Sequence, residues 1–350
     1  MDLEVVSSYE YRGPDGRPSA KALTIGDVRF HQTVGYDPLG NVTRLGYPVC
    51  RRGCEGLAGG VESLHSTYEL GLLSGVEGWL DSVQVHPGGR WSRAVHANGV
   101  SDLFTVDGRL DRWLRIRTEG VRRSDLGGDW DSGEFEYDES GNITRIGVDR
   151  FWYDPVQRLR HAEIGQEEES YTNDRYGNLT SVTRNGVRRQ ILVDSATNRL
   201  AAPGVAYDER GQLTTFTGLG GTLVYDPLGR VKEIRRGDLV AQAYVYDADG
   251  ERVLTVDDSQ GRLYSVRDLH GKPLRFVRQL PNQEWRLELD NVFADDRLIA
   301  FVDGAETVRH VHLDHLGTPR LHTDAAGRAS ARHTYLPFGQ EITDAAQDDF

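Results

Sequence analysis

Short runs of alternating apolar and polar residues fill most of this chain, and Gly, Asp, Asn or Pro breaks them every few positions. Asn142-Ile143-Thr144-Arg145-Ile146 and Arg230-Val231-Lys232-Glu233-Ile234 alternate with period two, which gives a strand one buried and one wet face. Runs this short, with breaks this close, predict antiparallel meander strands.

The breaks follow one formula: an aromatic, Asp, two variable residues, Gly, then a polar residue and the next strand. Tyr36-Asp37-Pro38-Leu39-Gly40-Asn41, Tyr137-Asp138-Glu139-Ser140-Gly141-Asn142 and Tyr207-Asp208-Glu209-Arg210-Gly211-Gln212 are the clearest copies. Tyr225-Asp226-Pro227-Leu228-Gly229 and Tyr246-Asp247-Ala248-Asp249-Gly250 keep the frame, whereas Asn173-Asp174 has lost the Tyr and Tyr153-Asp154-Pro155-Val156-Gln157 the Gly. Asp accepts bonds from the amides ahead of it, Pro fixes φ and Gly supplies φ > 0, so each copy predicts a hairpin tip. From Asp138 the heads are 16, 20, 34, 18 and 21 residues apart, and the long step suggests a degenerate copy near Asp194 and Asn198. A unit of two strands and two turns is too small to bury its own face, so neighbours are expected to stack into a continuous sheet. The fold class is therefore all-β: antiparallel β-hairpin repeats forming a spiral sheet strip or partial shell.

Composition adds little to this. Gly is in excess, 40 residues where average usage predicts roughly 25. The net charge of −13 argues against a nucleic-acid partner. No apolar run is long enough to span a membrane, and the N-terminus lacks the basic and apolar regions of a signal peptide. Starting inside a strand-like pattern is what a piece of a longer chain would do.

The C-terminal part carries the most specific signal. His312-Leu313-Asp314-His315-Leu316-Gly317-Thr318-Pro319-Arg320 is followed by Thr323-Asp324-Ala325-Ala326-Gly327-Arg328 and by Tyr335-Leu336-Pro337-Phe338-Gly339. With the repeats, this series resembles the Rhs/YD-repeat family and its Rhs-associated core segment. The core signature falls on Asp314, His315, Leu316, Gly317, Pro319 and Arg320; the likeness is strong from about 131 to 343 and weaker before, where residues 84–89 and 95–100 look like eroded repeats.

The resemblance implies a non-catalytic shell without cofactors. Bacterial members enclose or deliver a C-terminal toxin or resemble toxin-complex cocoon subunits, and animal teneurins use a similar shell for adhesion. The expected partners are an encapsulated effector polypeptide or the remaining shell repeats; an adhesion or carbohydrate-binding module is the alternative, with glycans as partners. The parent is expected to be secreted or on the cell surface. Residues 1–130 are expected to be divergent Rhs-like repeats, 131–265 YD repeats, and 266–350 the start of the core segment, all in one continuous body. The chain stops before the family's self-cleavage site and toxin would begin, so no catalytic residue carries over, and an open strip with exposed edges is the expectation.

Several residues invite other readings. Cys50 and Cys54 can close a small loop, start a metal site with His65, or stay reduced. His310, His312 and His315 are metal candidates, because His310 and His312 share a strand face; the plainer reading is a wet face of His, Arg and Asp beside the signature. The turn heads Asp37, Asp138, Asp208, Asp226 and Asp247 are read as structural acceptors at exposed tips, whose pKa values need not shift. Asp247-x-Asp249-Gly250 fails the calcium-loop count, and the Asn41, Asn142 and Asn178 sequons are read as turn chemistry. Tyr36, Tyr137, Tyr153, Tyr207, Tyr225 and Tyr246 recur at one register and are expected to stack as a ladder, though a sugar-binding ladder would look the same. There is no G-x-S-x-G, HExxH or phosphate loop.

Overall fold

Each D-x-x-G unit closes the same hairpin tip. In the computed structural model, which describes residues 3–343 except 217 and 219, Gly141 N–H donates to Asp138 O at 3.1 Å and Asp138 N–H to Asn142 O at 3.0 Å. Asp138 Oδ1 accepts the Asn142 amide at 2.8 Å, and Gly141 takes φ +89°. This is a β-turn followed by a left-handed glycine bulge, and the register shift between Glu136 and Tyr137 marks the bulge in the ladder. The same bonds recur at Asp37, Asp154, Asp174, Asp208, Asp226 and Asp247, and further on at Asp268, Asp303, Asp314 and Asp324. Where glycine is missing, Gln157 takes the position at φ +66°. His86 and His96 head equivalent turns with Gly89 and Gly99, so the eroded N-terminal repeats keep the geometry after losing the Asp. The step from Asp174 to Asp208 does hold an extra hairpin: Val193–Asp194 pairs Arg199–Leu200, and Asn198 turns the chain at φ +57°.

Between successive tips lie two strands and one tight reverse turn, such as Asn185-Gly186. All the D-x-x-G tips of the middle repeats therefore fall on one rim. The fold is an all-β strip of antiparallel hairpins, and no α-helix occurs among the described residues. The strip is not one continuous sheet. It breaks into sheets of 12, 7, 2 and 13 strands, each an open meander in sequence order except that Val49–Arg52 doubles back to pair Val28–Tyr36.

The sheets stay open, as expected of a strip, and the strip also folds back on itself. Leu64, Val76, Ala94, Phe104 and Ile116 from the 12-stranded sheet, with Tyr47 in the loop after Val42–Gly46, share a core with Leu274, Val292, Ile299 and Ala300 from the 13-stranded one. A second core joins Leu23, Ile25 and Phe30 to Leu254, Tyr264 and Val277. The Phe30 and Tyr264 rings are 5.9 Å apart. Burying one sheet face against another supplies the apolar area that a single hairpin lacks. Within the expected 266–350 segment, residues 344–350 lie outside the described residues, as do residues 1–2 of the first.

Candidate functional site

Two clusters of polar groups interrupt this sheet-to-sheet interface. The first is built from the strands Trp91–His96, Ser101–Val106, Val308–Leu313 and Pro319–Asp324. His310 and His312 do share a face, as period two requires, but it is not wet: the two residues are 3% and 0% exposed. The N-terminal sheet covers that face with His96 and Asp102. His96 Nε2 lies 3.0 Å from Asp102 Oδ2, and His312 Nδ1 lies 2.9 Å from Asp102 Oδ1. Thr118 Oγ1 donates to Asp102 Oδ1 at 2.7 Å. His96 Nδ1 meets His310 Nδ1 at 3.2 Å, and His312 Nε2 meets Thr323 Oγ1 at 2.9 Å. Burial pushes His96 down and His310 down to about 3, so both imidazoles are neutral at pH 7. Burial alone would raise Asp102, but His312 and His96 beside it hold the carboxyl well below its usual range. His96, Asp102 and His312 bring ligand atoms within 4.8 Å of one another. His315 does not join them; it sits in the next turn with its ring 5.0 Å from Phe135.

The second cluster is an ionic knot. Arg275 donates from Nε to Asp290 Oδ1 at 2.7 Å and from Nη2 to Oδ2 at 2.6 Å. Its remaining donors reach across the interface to Pro48 O and Val61 O. Asp290 Oδ2 accepts the Val61 amide at 2.7 Å, and Tyr47 Oη donates to Asn291 O at 2.6 Å.

The residues singled out by sequence prove to be engaged in the wall itself. In the signature, Asp314 Oδ1 accepts the Leu316 and Thr318 amides, and its Oδ2 accepts Arg320 Nε at 2.8 Å. Gly317 takes φ +81° and Pro319 pairs Leu313. The Arg320 guanidinium lies 5.3 Å from the Tyr335 ring centroid, which ties the signature to the Tyr-x-Pro-Phe-Gly element. The turn aspartates are not exposed as expected: Asp37, Asp138, Asp208 and Asp226 are half-buried and Asp247 is buried, and at several of these heads the carboxyl is shifted. The amide side chains of Asn41, Asn142 and Asn178 hold Asp37, Asp138 and Asp174 below the ordinary carboxylate range.

The tyrosines do not stack on one another. Successive repeats place them two strands apart, about 9–10 Å, beyond ring contact. Each instead ties its hairpin to the preceding one: Tyr36 Oη donates to Pro18 O, Tyr137 to Trp113 O, Tyr153 to Ile143 O, Tyr225 to Leu213 O and Tyr246 to Val231 O, while Tyr207 Oη accepts from the Leu200 amide. Arg17, Arg112, Arg199 and Arg230 cover the faces of Tyr36, Tyr137, Tyr207 and Tyr246. Cys50 and Cys54 are disulfide-bonded with Cα atoms 6.2 Å apart, and His65 lies instead beside Ser63 and Glu77. A cleft of about 860 Å³ opens between the middle repeats and residues 314–339, lined by Phe135, Ile143, Phe151, Leu159 and Tyr335. Asp149 at its edge is pushed up by burial.

His96, Asp102, Arg275 and Asp290 were missed as site residues. Their only sequence signal is a charged or titratable side chain at a strand position that alternation assigns to the buried face.

The family model of the teneurin YD-shell matches residues 130–349. The chain belongs to the teneurin YD-shell family. Among solved structures, a YD-shell fold of this kind recurs in the crystal structure of TcdB2-TccC3, at a TM-score of 0.77 and 18% identity over 98% of this chain and 21% of that one. The Photorhabdus luminescens Tc holotoxin pore gives 0.71 and 16%, over 97% and 20%. TcdB2-TccC3 without its hypervariable C-terminal region gives 0.72 and 16%, over 97% and 20%. At these identities the likeness is one of fold, and the chain spans about a fifth of the length of each structure it matches. No curated protein matches the sequence. Among the described residues of this YD-shell chain, no helix is long and apolar enough to cross a membrane.

Proposed function

We propose that this chain is a non-catalytic section of a YD-repeat shell that encloses or delivers a C-terminal toxin or effector in its parent protein, itself secreted or displayed at the bacterial surface. The observation that carries this reading is where the repeat's chemistry goes. Asp carboxylates close the tips, Tyr hydroxyls link consecutive hairpins, and Arg side chains cover the Tyr faces. These are the means of building a wall, and the folding back of one sheet on another thickens it. The segments 1–130, 131–265 and 266–350 act as one structural body, with the remaining shell repeats and the enclosed polypeptide as partners. A carbohydrate ladder is less well supported, because Arg already covers the rings of Tyr36, Tyr137, Tyr207 and Tyr246.

The test is limited proteolysis of the full-length parent. The segment following residue 350 should resist a non-specific protease while the shell is native and be digested once the shell is unfolded. Digestion of that segment at the same rate in both states would overturn the proposal. Binding in a glycan array by this chain would favour the adhesion reading instead.

A further inference from the structure

We propose that His96, Asp102 and His312 bind one zinc ion, which clasps the N-terminal sheet to the C-terminal sheet. His96 and Asp102 come from neighbouring strands of one sheet and His312 from the other, 210 residues beyond Asp102. The three supply two imidazole nitrogens and a carboxylate, the donor set that suits zinc. Both oxygens of Asp102 face the cluster, one toward each histidine, so the carboxylate can offer both to the ion, giving four donor atoms in a distorted tetrahedral arrangement. The nitrogen–oxygen separations are 3.0 and 2.9 Å, against about 3.3 Å between adjacent donors of a tetrahedral zinc site. To admit the ion, the hydrogen-bonded pairs would open by a few tenths of an ångström and the widest separation in the set, up to 4.8 Å, would close.

The surroundings match those of a ligating set. A metal-bound histidine normally uses its second nitrogen in an outer hydrogen bond that fixes the ring. Here His96 Nδ1 meets His310 Nδ1 and His312 Nε2 meets Thr323 Oγ1. Thr118 Oγ1 donates to Asp102 Oδ1, the oxygen that also faces His312, and Asn98 Nδ2 donates to Thr323 Oγ1 at 2.9 Å. The hydrogen-bond partners of the buried Asp102 are His96, His312 and Thr118. A divalent ion would give that carboxylate a full counter-charge where His96 and His312 offer only hydrogen bonds.

The experiment uses the full chain without a polyhistidine tag, loaded with zinc, dialysed and assayed by elemental mass spectrometry. The expected result is about one zinc per chain, lost in Asp102→Asn, with a chelator lowering the unfolding temperature of the wild type but not of the variant. Cobalt substitution should give visible tetrahedral bands without thiolate charge transfer, which separates this site from the cysteines. Should Asp102→Asn fail to fold, the wild-type zinc content and cobalt spectrum decide alone. A dialysed wild-type chain without stoichiometric zinc, or one whose unfolding temperature ignores the chelator, would mean that the cluster is a hydrogen-bond network and the proposal is wrong.

Discussion

Replacing Asp290 by Ala strikes the ionic knot where the two large sheets meet. The Asp290 and Arg275 side chains are 0% and 7% exposed, so water cannot take over for the missing partner. The variant strands the Arg275 guanidinium with only the Pro48 and Val61 carbonyls for company and leaves the Val61 amide without its acceptor. Breaking one side of a buried pair costs about 3–5 kcal/mol, and an orphaned buried amide adds about 1 kcal/mol or more. A loss of about 4–6 kcal/mol is a large share of the 5–15 kcal/mol typical of a folded domain. The assay is urea unfolding followed by tryptophan fluorescence with linear extrapolation. The companion double variant, Arg275→Met with Asp290→Leu, removes both charges and should recover most of the loss, since apolar replacement of a whole buried pair is often neutral. If Asp290→Ala unfolds within about 1 kcal/mol of wild type at an unchanged m-value, the knot does not hold the sheets together and the reasoning fails.

Three other outcomes follow from the same geometry. Tyr153→Phe deletes only the bond from Oη to Ile143 O and should cost about 1 kcal/mol by chemical denaturation; no change would show that the tyrosines contribute by packing alone. Asn142→Ala removes the side-chain donor that is the main cause of the low Asp138 pKa, so a carboxyl NMR titration should move Asp138 up toward the ordinary value, and an unmoved titration would assign the shift to the backbone amides. His322, packed against His333 and Phe301, is pushed down to about 3, chiefly by burial, with the neighbouring His333, His312 and Arg309 acting in the same direction. The unfolded state therefore takes up a proton that the folded state refuses. The stability is complete above about pH 6.5, is lost progressively toward pH 3, and is reduced by about 2 kcal/mol at pH 5. Thermal unfolding between pH 7 and 5 should be shallower in His322→Phe, and identical slopes would contradict the assignment.

Local chemistry made the repeat legible. Asp-x-x-Gly specifies its tip from four consecutive residues, because acceptor, turn and left-handed glycine all lie within hydrogen-bond reach of one another. The tyrosine register and the Asp314–Arg320 signature were readable for the same reason. Period two likewise put His310 and His312 on a common face. What alternation could not say is whether that face meets water or another sheet. His96 and His310 meet across 214 positions, and Pro48 and Arg275 across 227, separations at which no local pattern links the partners. The sequence by itself thus determined the hairpins and their order, since those depend on neighbours in the chain. Only the tertiary structure decided which faces are buried, which histidines converge and where the strip folds back, because these depend on how separate sheets pack once their apolar faces leave water.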